Sequence, residues 1–314
     1  MKPASLTSGR PAANEWLRRN TFDAFARSGT TAFRLHTAED GWVEYLEGDL
    51  LVSYATAECR ESLLRGAVEW GASEGVPIRR VFAKLLPKQN ADRVMPTLLT
   101  GDASLPLTTT VHENGVAYGL DFAAGYSAGL FLDQRANRAR LRRQAPERLL
   151  NTFAYTCSFS VVAALAGAET LSIDLSRKSL DRGRANFGLN GLELAGHRFL
   201  ADDVMEVLPR LARRGEAFDA IVLDPPTFSR GNKGGRFQVE RDFENLLQAA
   251  LEVAGPQATL LLSTNCTRLD RRALESIARY GLKASRRQGS FHFEPPLPDI
   301  PAGSAAATLW LGLR

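Results

Sequence analysis

Phe218-Asp-Ala-Ile-Val-Leu-Asp-Pro-Pro-Thr-Phe-Ser-Arg230 is the stretch on which the reading of the fold turns. Its apolar run from Ala220 to Leu223 has the pattern of a strand covered on both faces, as in a parallel sheet. The strand presents one carboxylate, Asp224, at its C-terminal end. Pro225 and Pro226 then fix the backbone and remove two N–H donors, so the groups that follow project rigidly. Ligands of open α/β sheets bind beyond the carboxyl ends of the strands. An Asp-Pro-Pro edge followed by Phe228 suits a flat nucleobase, held by hydrogen bonds and by stacking. The plain alternative is an ordinary strand-to-loop turn, because Asp-Pro is common turn chemistry.

Outward from this stretch, strands and helices alternate, the signature of a parallel sheet. Strands are expected at 149–153, 170–174, 197–201, 220–224, 258–263 and 306–312, with helices at 159–166, 178–190, 204–213, 241–254 and 271–280. Earlier in the chain a meander is expected: Phe33-Arg-Leu-His36, Trp42-Val-Glu-Tyr-Leu46 and Leu50-Leu-Val-Ser-Tyr54, separated by turn residues. A helix over 58–71, strands over 81–86 and 116–122, and an irregular stretch over 88–110 follow; 14–27 has the pattern of a short amphipathic helix. The expected fold class is α/β, a mostly parallel Rossmann-like sheet preceded by a small α+β domain. The organisation is an N-terminal extension (1–30), the small domain (31–125) and the main domain (126–314).

A chain of 314 residues with 44% hydrophobic content can bury a full core. Three cysteines, Cys59, Cys157 and Cys266, are too few and too scattered for a disulfide framework or a zinc site, so no metal is expected. With no signal-like N-terminus they point to a reducing cytoplasm. No run approaches a membrane span, so no membrane partner is expected. The net charge of +4 is compatible with a polyanionic partner but does not specify one.

The first expected strand ends in Asn151-Thr-Phe-Ala-Tyr-Thr-Cys-Ser158, and the second ends in Asp174. An acid about 20 residues after the first loop is placed to accept hydrogen bonds from a ribose diol. Dinucleotide dehydrogenases and S-adenosylmethionine enzymes share that feature, but the G-x-G-x-x-G loop that a pyrophosphate requires is missing here. S-adenosylmethionine has no phosphate and tolerates a loop with fewer glycines. Asp202 or Asp203, after the third strand, is placed to accept the adenine amino group, although each also suits an N-cap.

From Phe33 to its C-terminus the chain resembles the bacterial S-adenosylmethionine-dependent large-subunit ribosomal RNA methyltransferases. The resemblance is carried by Glu113-Asn-Gly115, Ser127-Ala-Gly-Leu-Phe-Leu-Asp-Gln-Arg-Ala-Asn-Arg138, Leu150-Asn-Thr-Phe-Ala-Tyr-Thr156, Ile173-Asp-Leu-Ser176 and Asp224-Pro-Pro-Thr-Phe-Ser229, in that order. It implies a class I methyltransferase domain, S-adenosylmethionine as cofactor, and ribosomal or other structured RNA as partner. It implies that Phe131, Asp133 and Arg135 wall the cofactor site and that Asn151, Phe153, Ala154, Tyr155 and Ser158 surround the methionine part. Asp174, with Leu175 and Ser176, would bind the ribose; Asp202, Asp203 and Val204 would bind the adenine; Asp224 and Pro225, with Pro226 and Phe228, would lie at the transferred methyl. Phe131 and Phe153 have core packing as their plain alternative.

Two departures stand out. Members of the family usually carry glycines where this chain has Cys157 and Ser158, so a cysteine side chain is expected to crowd the methionine carboxylate or to redirect the loop. Many relatives also begin with a separate RNA-binding domain, for which this chain is too short. RNA capture is then expected from the small domain and from Arg138, Arg140, Arg142, Arg143 and Arg148, a run that also fits a solvated helix face.

Two chemistries compete. Cytosine C5 methylation needs a thiolate to attack C6, and Cys266 resembles the cysteine of the cytosine branch; its sequence neighbours Thr264, Asn265 and Thr267 offer neither base nor cation. Guanine N7 already carries a lone pair, so positioning nearly suffices. Asn186-Phe-Gly-Leu-Asn-Gly191, Pro226-Thr-Phe-Ser229 and Phe237-Gln-Val-Glu-Arg-Asp242 look more like the guanine-N7 branch, which is preferred. A non-catalytic ribosome-assembly protein with this fold and a small-molecule methyltransferase remain as alternatives.

Overall fold

The computed structural model describes residues 15–86, 93–230 and 236–314. The chain forms two compact units. One holds the described residues up to Thr109 with Phe122–Ala128 and Pro296–Ser304; the other holds Thr110–Asp121, Gly129–Pro295 and Ala305–Arg314.

The first unit runs α1 (Arg19–Arg27), β1 (Ala32–Ala38), β2 (Gly41–Leu46), β3 (Asp49–Tyr54), α2 (Ala57–Glu74), β4 (Arg80–Leu85) and β5 (Thr97–Gly101). These strands form one sheet in chain order; β1 to β3 are antiparallel, and β4 lies parallel to β3 after the α2 crossover. Alternation puts Phe33, Leu35, Val43, Leu50, Val52 and Val81 in one core with Phe25 of α1 and with Leu63, Ala67 and Trp70 of α2. Thr56 caps α2 by accepting from the Cys59 N–H. The expected irregular stretch over 88–110 is corrected here. Residues 97–101 pair with β4 as an edge strand, rich in threonine and leucine and exposed enough to lack a clear alternation. The expected helix over 14–27 is shorter, and Asn14 lies outside the described residues.

The second unit begins at Thr110, within the hairpin β6 (Thr108–Glu113) and β7 (Val116–Asp121), whose turn residues Asn114 and Gly115 both take positive φ, 51° and 76°. It continues through α3 (Arg135–Gln144), β8 (Arg148–Thr152), α4 (Ser158–Ala164), β9 (Glu169–Asp174), α5 (Arg177–Leu189), β10 (His197–Ala201), α6 (Val204–Arg213) and β11 (Phe218–Leu223). A small hairpin, β12 (Phe228–Arg230) with β13 (Arg236–Gln238), precedes α7 (Val239–Glu252), β14 (Ala254–Thr264), α8 (Arg271–Ala284), β15 (Gly289–His292) and β16 (Ala307–Leu313).

Seven strands form the main sheet in the order β10-β9-β8-β11-β14-β16-β15. The five strands from β10 to β14 are parallel, and β16 runs antiparallel between β14 and β15. The order reverses between β8 and β11, which makes their carboxyl ends the switch point of a doubly wound sheet. The Rossmann-like α/β architecture expected from the sequence is therefore observed. β11 is buried along Ala220–Leu223, because sheet neighbours flank it and helices cover its faces. β12, β13 and β15 have no counterpart in the sequence reading; at three or four residues they are too short to show a period.

A buried ion pair ties this unit together. Arg138 on α3 grips Glu113 on β6 through Nε (2.7 Å) and Nη2 (2.5 Å), and its Nη2 also donates to the Phe131 carbonyl at 2.8 Å. The side chains are 1% and 2% exposed. The expectation that Arg138 captures RNA is thereby corrected: its charge is spent inside the protein, where a bidentate carboxylate offsets the desolvation. Glu113→Gln should cost about 3–5 kcal/mol in urea unfolding, because it leaves Arg138 buried without a counter-charge. Arg279→Ala, which breaks the surface pair with Glu275, should cost at most about 0.5 kcal/mol. Equal effects would show that the buried pair does not organise the unit.

Candidate active site

The residues singled out in sequence gather mostly at the switch point. β8 leads into the loop 151–158, β9 ends at Asp174, β10 ends before Asp202 and Asp203, and β11 ends before Asp224. The parallel registers place Asn151 beside Val222 and beside Ser172, so these loops emerge from one edge of the sheet.

The loop after β8 has an unusual backbone. Phe153, Tyr155 and Cys157 take φ of 52°, 47° and 60°, left-handed values that glycine adopts most readily. Hydrogen bonds hold each turn: the Ala154 N–H donates to the Ile173 carbonyl (2.9 Å), the Tyr155 N–H to Asp174 (2.8 Å) and the Cys157 N–H to the Ala154 carbonyl (2.8 Å). Thr156 Oγ1 donates to the Gly129 carbonyl (2.6 Å), and Asn186 Nδ2 to the Thr156 carbonyl (2.9 Å).

The Cys157 thiol turns inward, fully buried, over Gly183 of α5. A Cβ at Gly183 would lie 2.9 Å from Cys157 Cβ and closer still to its sulfur. Burial pushes the Cys157 thiol up to about 12, so it is inert as a nucleophile.

Asp174 accepts from the N–H groups of Tyr155 and Ser176, both at 2.8 Å. Burial raises its pKa and these hydrogen bonds oppose the rise. Leu175 is half-buried, and exposed Ser176 caps α5 through the Ser179 N–H at 3.1 Å. Asp203 caps α6, as its alternative reading held, by accepting from Met205 N–H (2.9 Å). Asp202 pairs with Arg210. Val204 belongs to the hydrophobic core.

Other predicted residues separate by exposure. Phe131 is 44% exposed and stands 5.6 Å from the Tyr155 ring, so it is not core. Phe153 packs against the core and lies 5.7 Å from Phe237, as its plain alternative held. Asn151 is buried and donates to Ser160 Oγ at 2.9 Å, so its side chain braces α4. Ala154, Arg135 and Pro225 are buried, Ser158 is half-buried, and Pro226 and Phe228 are exposed, Phe228 at 42%.

Asp224 retains some accessible surface, yet its carboxyl is crowded enough that loss of water raises its pKa to about 6. Asp133 nearby adds to the rise, whereas the polar Ser263 hydroxyl and the charge of Arg138 oppose it. Asp133 also accepts from the Ala306 N–H at 2.9 Å, which fixes it.

Three features escaped the sequence reading. Cys266 does have a carboxylate partner: Glu240 of α7 accepts from its thiol at 3.3 Å and also pairs with Arg268 at 3.0 Å. Only the fold brings residue 240 to residue 266. Asn186 and Asn190, read as a branch marker, clamp the β7 backbone by accepting from the N–H groups of Gly119 (2.8 Å) and Ala117 (2.9 Å). Ser263 and Gln134 stand behind Asp224, with Gln134 donating to Ser263 Oγ at 2.8 Å. Of the five arginines expected to capture RNA, Arg142 and Arg143 are exposed, Arg140 pairs with Glu294, and Arg148 pairs with Glu216.

Among the described residues no group of three or more His, Cys, Asp or Glu is placed to hold a metal ion, and no helix is long and apolar enough to cross a membrane.

Residues 41–309 match the model of the S-adenosylmethionine-dependent methyltransferase family. The ribosomal RNA large subunit methyltransferase I of Aeromonas salmonicida is 30% identical over 292 residues, covering 89% of this chain and 72% of that protein. The ribosomal RNA large subunit methyltransferase K/L of Psychrobacter arcticus is 41% identical over 163 residues, 50% of this chain and 21% of that much longer protein. The crystal structure of the SAM-dependent methyltransferase from Agrobacterium tumefaciens superposes with a TM-score of 0.71 at 23% identity, covering 91% of each chain. The chain belongs to the S-adenosylmethionine-dependent methyltransferase family, in the branch whose curated bacterial members are named ribosomal RNA large-subunit methyltransferases. It is an enzyme whose methyl donor is S-adenosylmethionine.

The inward notch of Cys157 yields a test by unfolding. Gly183→Ala should destabilise the protein by about 1–3 kcal/mol through overpacking against the sulfur. Adding Cys157→Gly should recover most of that loss, a coupling read by a double-mutant cycle in urea. Purely additive effects would mean that the two positions do not touch.

Proposed function

We propose that this enzyme methylates a base of large-subunit ribosomal RNA, at guanine N7 in preference to cytosine C5, over the carboxyl ends of β8 and β11. The RNA substrate rests on the names of its relatives. The observation that carries the choice of atom is the setting of Cys266. It packs in the hydrophobic cluster of the second unit, with its thiol proton engaged by Glu240. A nucleophile for cytosine C6 needs to be presented to the base as a thiolate. The cytosine reading keeps one supporting observation, since Glu240 is itself a candidate base for that thiol.

The residues present fit the cofactor. Asp174 faces the ribose; each of its oxygens already takes one N–H and retains acceptor capacity for a diol hydroxyl. Exposed Phe131 beside Tyr155 forms an apolar wall, and the left-handed loop brings backbone close where a phosphate cradle is not needed. Asp202 and Asp203 are the acceptors nearest the third strand end for the adenine amino group. The bound group supplies an electrophilic methyl on a sulfonium.

The chain's own residues do the rest by positioning and charge. Phe228 stacks on the target base, and the prolines hold its loop stiff. Asp224, ionised above about pH 6, lies beside the transferred methyl. Methylation at N7 leaves the purine cationic, and the carboxylates of Asp224 and Asp133 stabilise that developing charge. No covalent adduct and no general base for N7 are needed. The small domain expected over residues 31–125 serves RNA recognition together with exposed Arg142 and Arg143.

Calorimetry should show S-adenosylmethionine binding that Asp174→Ala weakens by about 1–3 kcal/mol. Asp224→Ala should lower kcat far more than it lowers cofactor affinity. Cys266→Ala should stay active within a few-fold on large-subunit RNA, with the product strand cleaved after borohydride and aniline. Trapping of the wild-type enzyme on 5-fluorocytosine RNA would move the assignment to cytosine C5 and leave the methyltransferase standing.

A further inference from the structure

The β12–β13 ribbon has two faces of opposite character. Its register pairs Phe228 with Gln238 and Ser229 with Phe237. Alternation along β13 therefore sets Phe237 on one face, and Arg236 and Gln238 on the other with Phe228. The inner face is spent on the core: Phe237 is buried, and its ring lies 5.7 Å from that of Phe153 in the loop after β8. On the outer face Phe228, Arg236 and Gln238 are all exposed.

A two-stranded ribbon is marginally stable by itself. This one is held by the Phe237 ring, by the Val239 N–H donating to the Thr227 carbonyl at 3.2 Å, and by the Gln238 N–H donating to Asp242 at 2.7 Å. None of these anchors uses the side chain of Phe228 or Arg236. The acids that follow the ribbon are already matched. Asp242 pairs with Arg241, whose Nη2 also donates to the Arg236 carbonyl at 2.6 Å, and Glu240 pairs with Arg268 at 3.0 Å. Among the described residues no carboxylate pairs with the Arg236 guanidinium. The outer face thus sets an uncompensated positive charge beside an exposed aromatic ring, the pairing that single-stranded nucleic acid requires for its phosphates and its bases.

We propose that this face captures a single-stranded stretch of RNA, with one base stacked on Phe228 and the adjoining phosphate held by Arg236. The proposal rests on the reading of the enzyme as an RNA methyltransferase and adds to it the residue that grips the backbone next to the site. Phe228 and Arg236 are diagonal neighbours across the ribbon, about 7–8 Å apart, a span that one nucleotide covers from base to phosphate. β12 begins four residues after Asp224, so the two Cα atoms are at most about 14 Å apart. Phe237 against Phe153 fixes the ribbon beside the loop after β8. A base inside a duplex keeps both faces in the helical stack and offers none to Phe228, so the segment captured is unpaired.

The two side chains have different signatures. A phosphate contact releases counterions, and its loss lowers the dependence of binding on salt. A stacked base releases none, so loss of the ring weakens binding equally at every salt concentration.

The experiment measures fluorescence anisotropy of a short, labelled, mixed-sequence single-stranded oligoribonucleotide with the full chain over a salt series. Arg236→Ala should reduce the slope of log affinity against log salt by about 0.7, the share of one phosphate on a single strand, and Arg236→Lys should keep it. Phe228→Ala should weaken binding about 5–150-fold with the slope unchanged. Arg213→Ala removes an equal charge at the far end of α6 and should leave the slope alone. In tritium transfer to large-subunit RNA from a deletion strain, Arg236→Ala should raise the KM for RNA and leave that for S-adenosylmethionine within about twofold. A slope unchanged in Arg236→Ala, or reduced as much in Arg213→Ala, overturns the proposal. Blunt duplex RNA competing as well as the single strand also overturns it. Self-association in light scattering that Phe228→Ala abolishes, with RNA binding intact, assigns the face to a second copy of the chain and overturns it too. If the wild type methylates RNA and both ribbon variants match it in binding and turnover, only the ribbon proposal fails. If the wild type neither binds nor methylates RNA, the RNA methyltransferase reading fails and the ribbon proposal with it.

Discussion

The second unit depends on one buried ion pair. Arg138 and Glu113 are almost wholly withdrawn from water, a position that is costly for either charge alone. The cost is offset because the guanidinium fork meets both carboxylate oxygens and the Phe131 carbonyl as well. Its position gives it reach. The same arginine lies 3.4 Å from Ser158 Oγ at the start of α4, and its guanidinium stands within 6 Å of the Tyr118 and Phe159 rings. The β6–β7 hairpin, the segment before α3 and the loop after β8 thus share one anchor. Gln134 and Asn137 are carried on that anchored segment and helix, so the geometry behind Asp224 inherits its rigidity from a charge pair outside the reacting groups.

A second constraint is the backbone of the loop after β8. Three non-glycine residues in the left-handed region each carry strain, and such strain persists only where the surroundings over-determine the conformation. Here Asp174, Gly129 and Asn186 supply that over-determination by hydrogen bonds from three separate segments. Asp174 accordingly has two jobs. It shapes the loop through the Tyr155 N–H, and in the proposed site its remaining lone pairs are left for the ribose.

What could be read in the sequence follows the range of the physics involved. The strand at Ala220–Leu223 was legible because burial on both faces leaves an uninterrupted apolar run. The boundaries of β10 and α6 were legible because an amphipathic period starts directly after an acid that caps it. Asp174 and Asp224 were legible as strand-end acids because an apolar run that stops at a carboxylate marks where a buried strand leaves the sheet. The edge strand Thr97–Gly101 was not, since an exposed threonine-rich segment has no hydrophobic alternation to detect. Arg138 was misread because a run of arginines on a helix gives no sign of which one points inward; the partner lies on a distant hairpin. Glu240 beside Cys266 and Ser263 beside Asp224 are products of tertiary pairing, and only a strand register or a helix placement reveals them.

The notch at Gly183 has an evolutionary reading. With a glycine at 157, a Cβ at 183 would meet no sulfur, and the Thr156 carbonyl carbon at 3.5 Å is an ordinary contact. Once a cysteine occupies 157 and turns its sulfur inward, the glycine at 183 is locked, because a Cβ would meet that sulfur. The two sites are therefore epistatic, and substitution has a permitted order: the space on α5 must exist before the cysteine can enter, and the cysteine must leave before the space can be filled. A position that tolerates a Cβ beside a glycine becomes costly to change beside a cysteine without ever touching the chemistry.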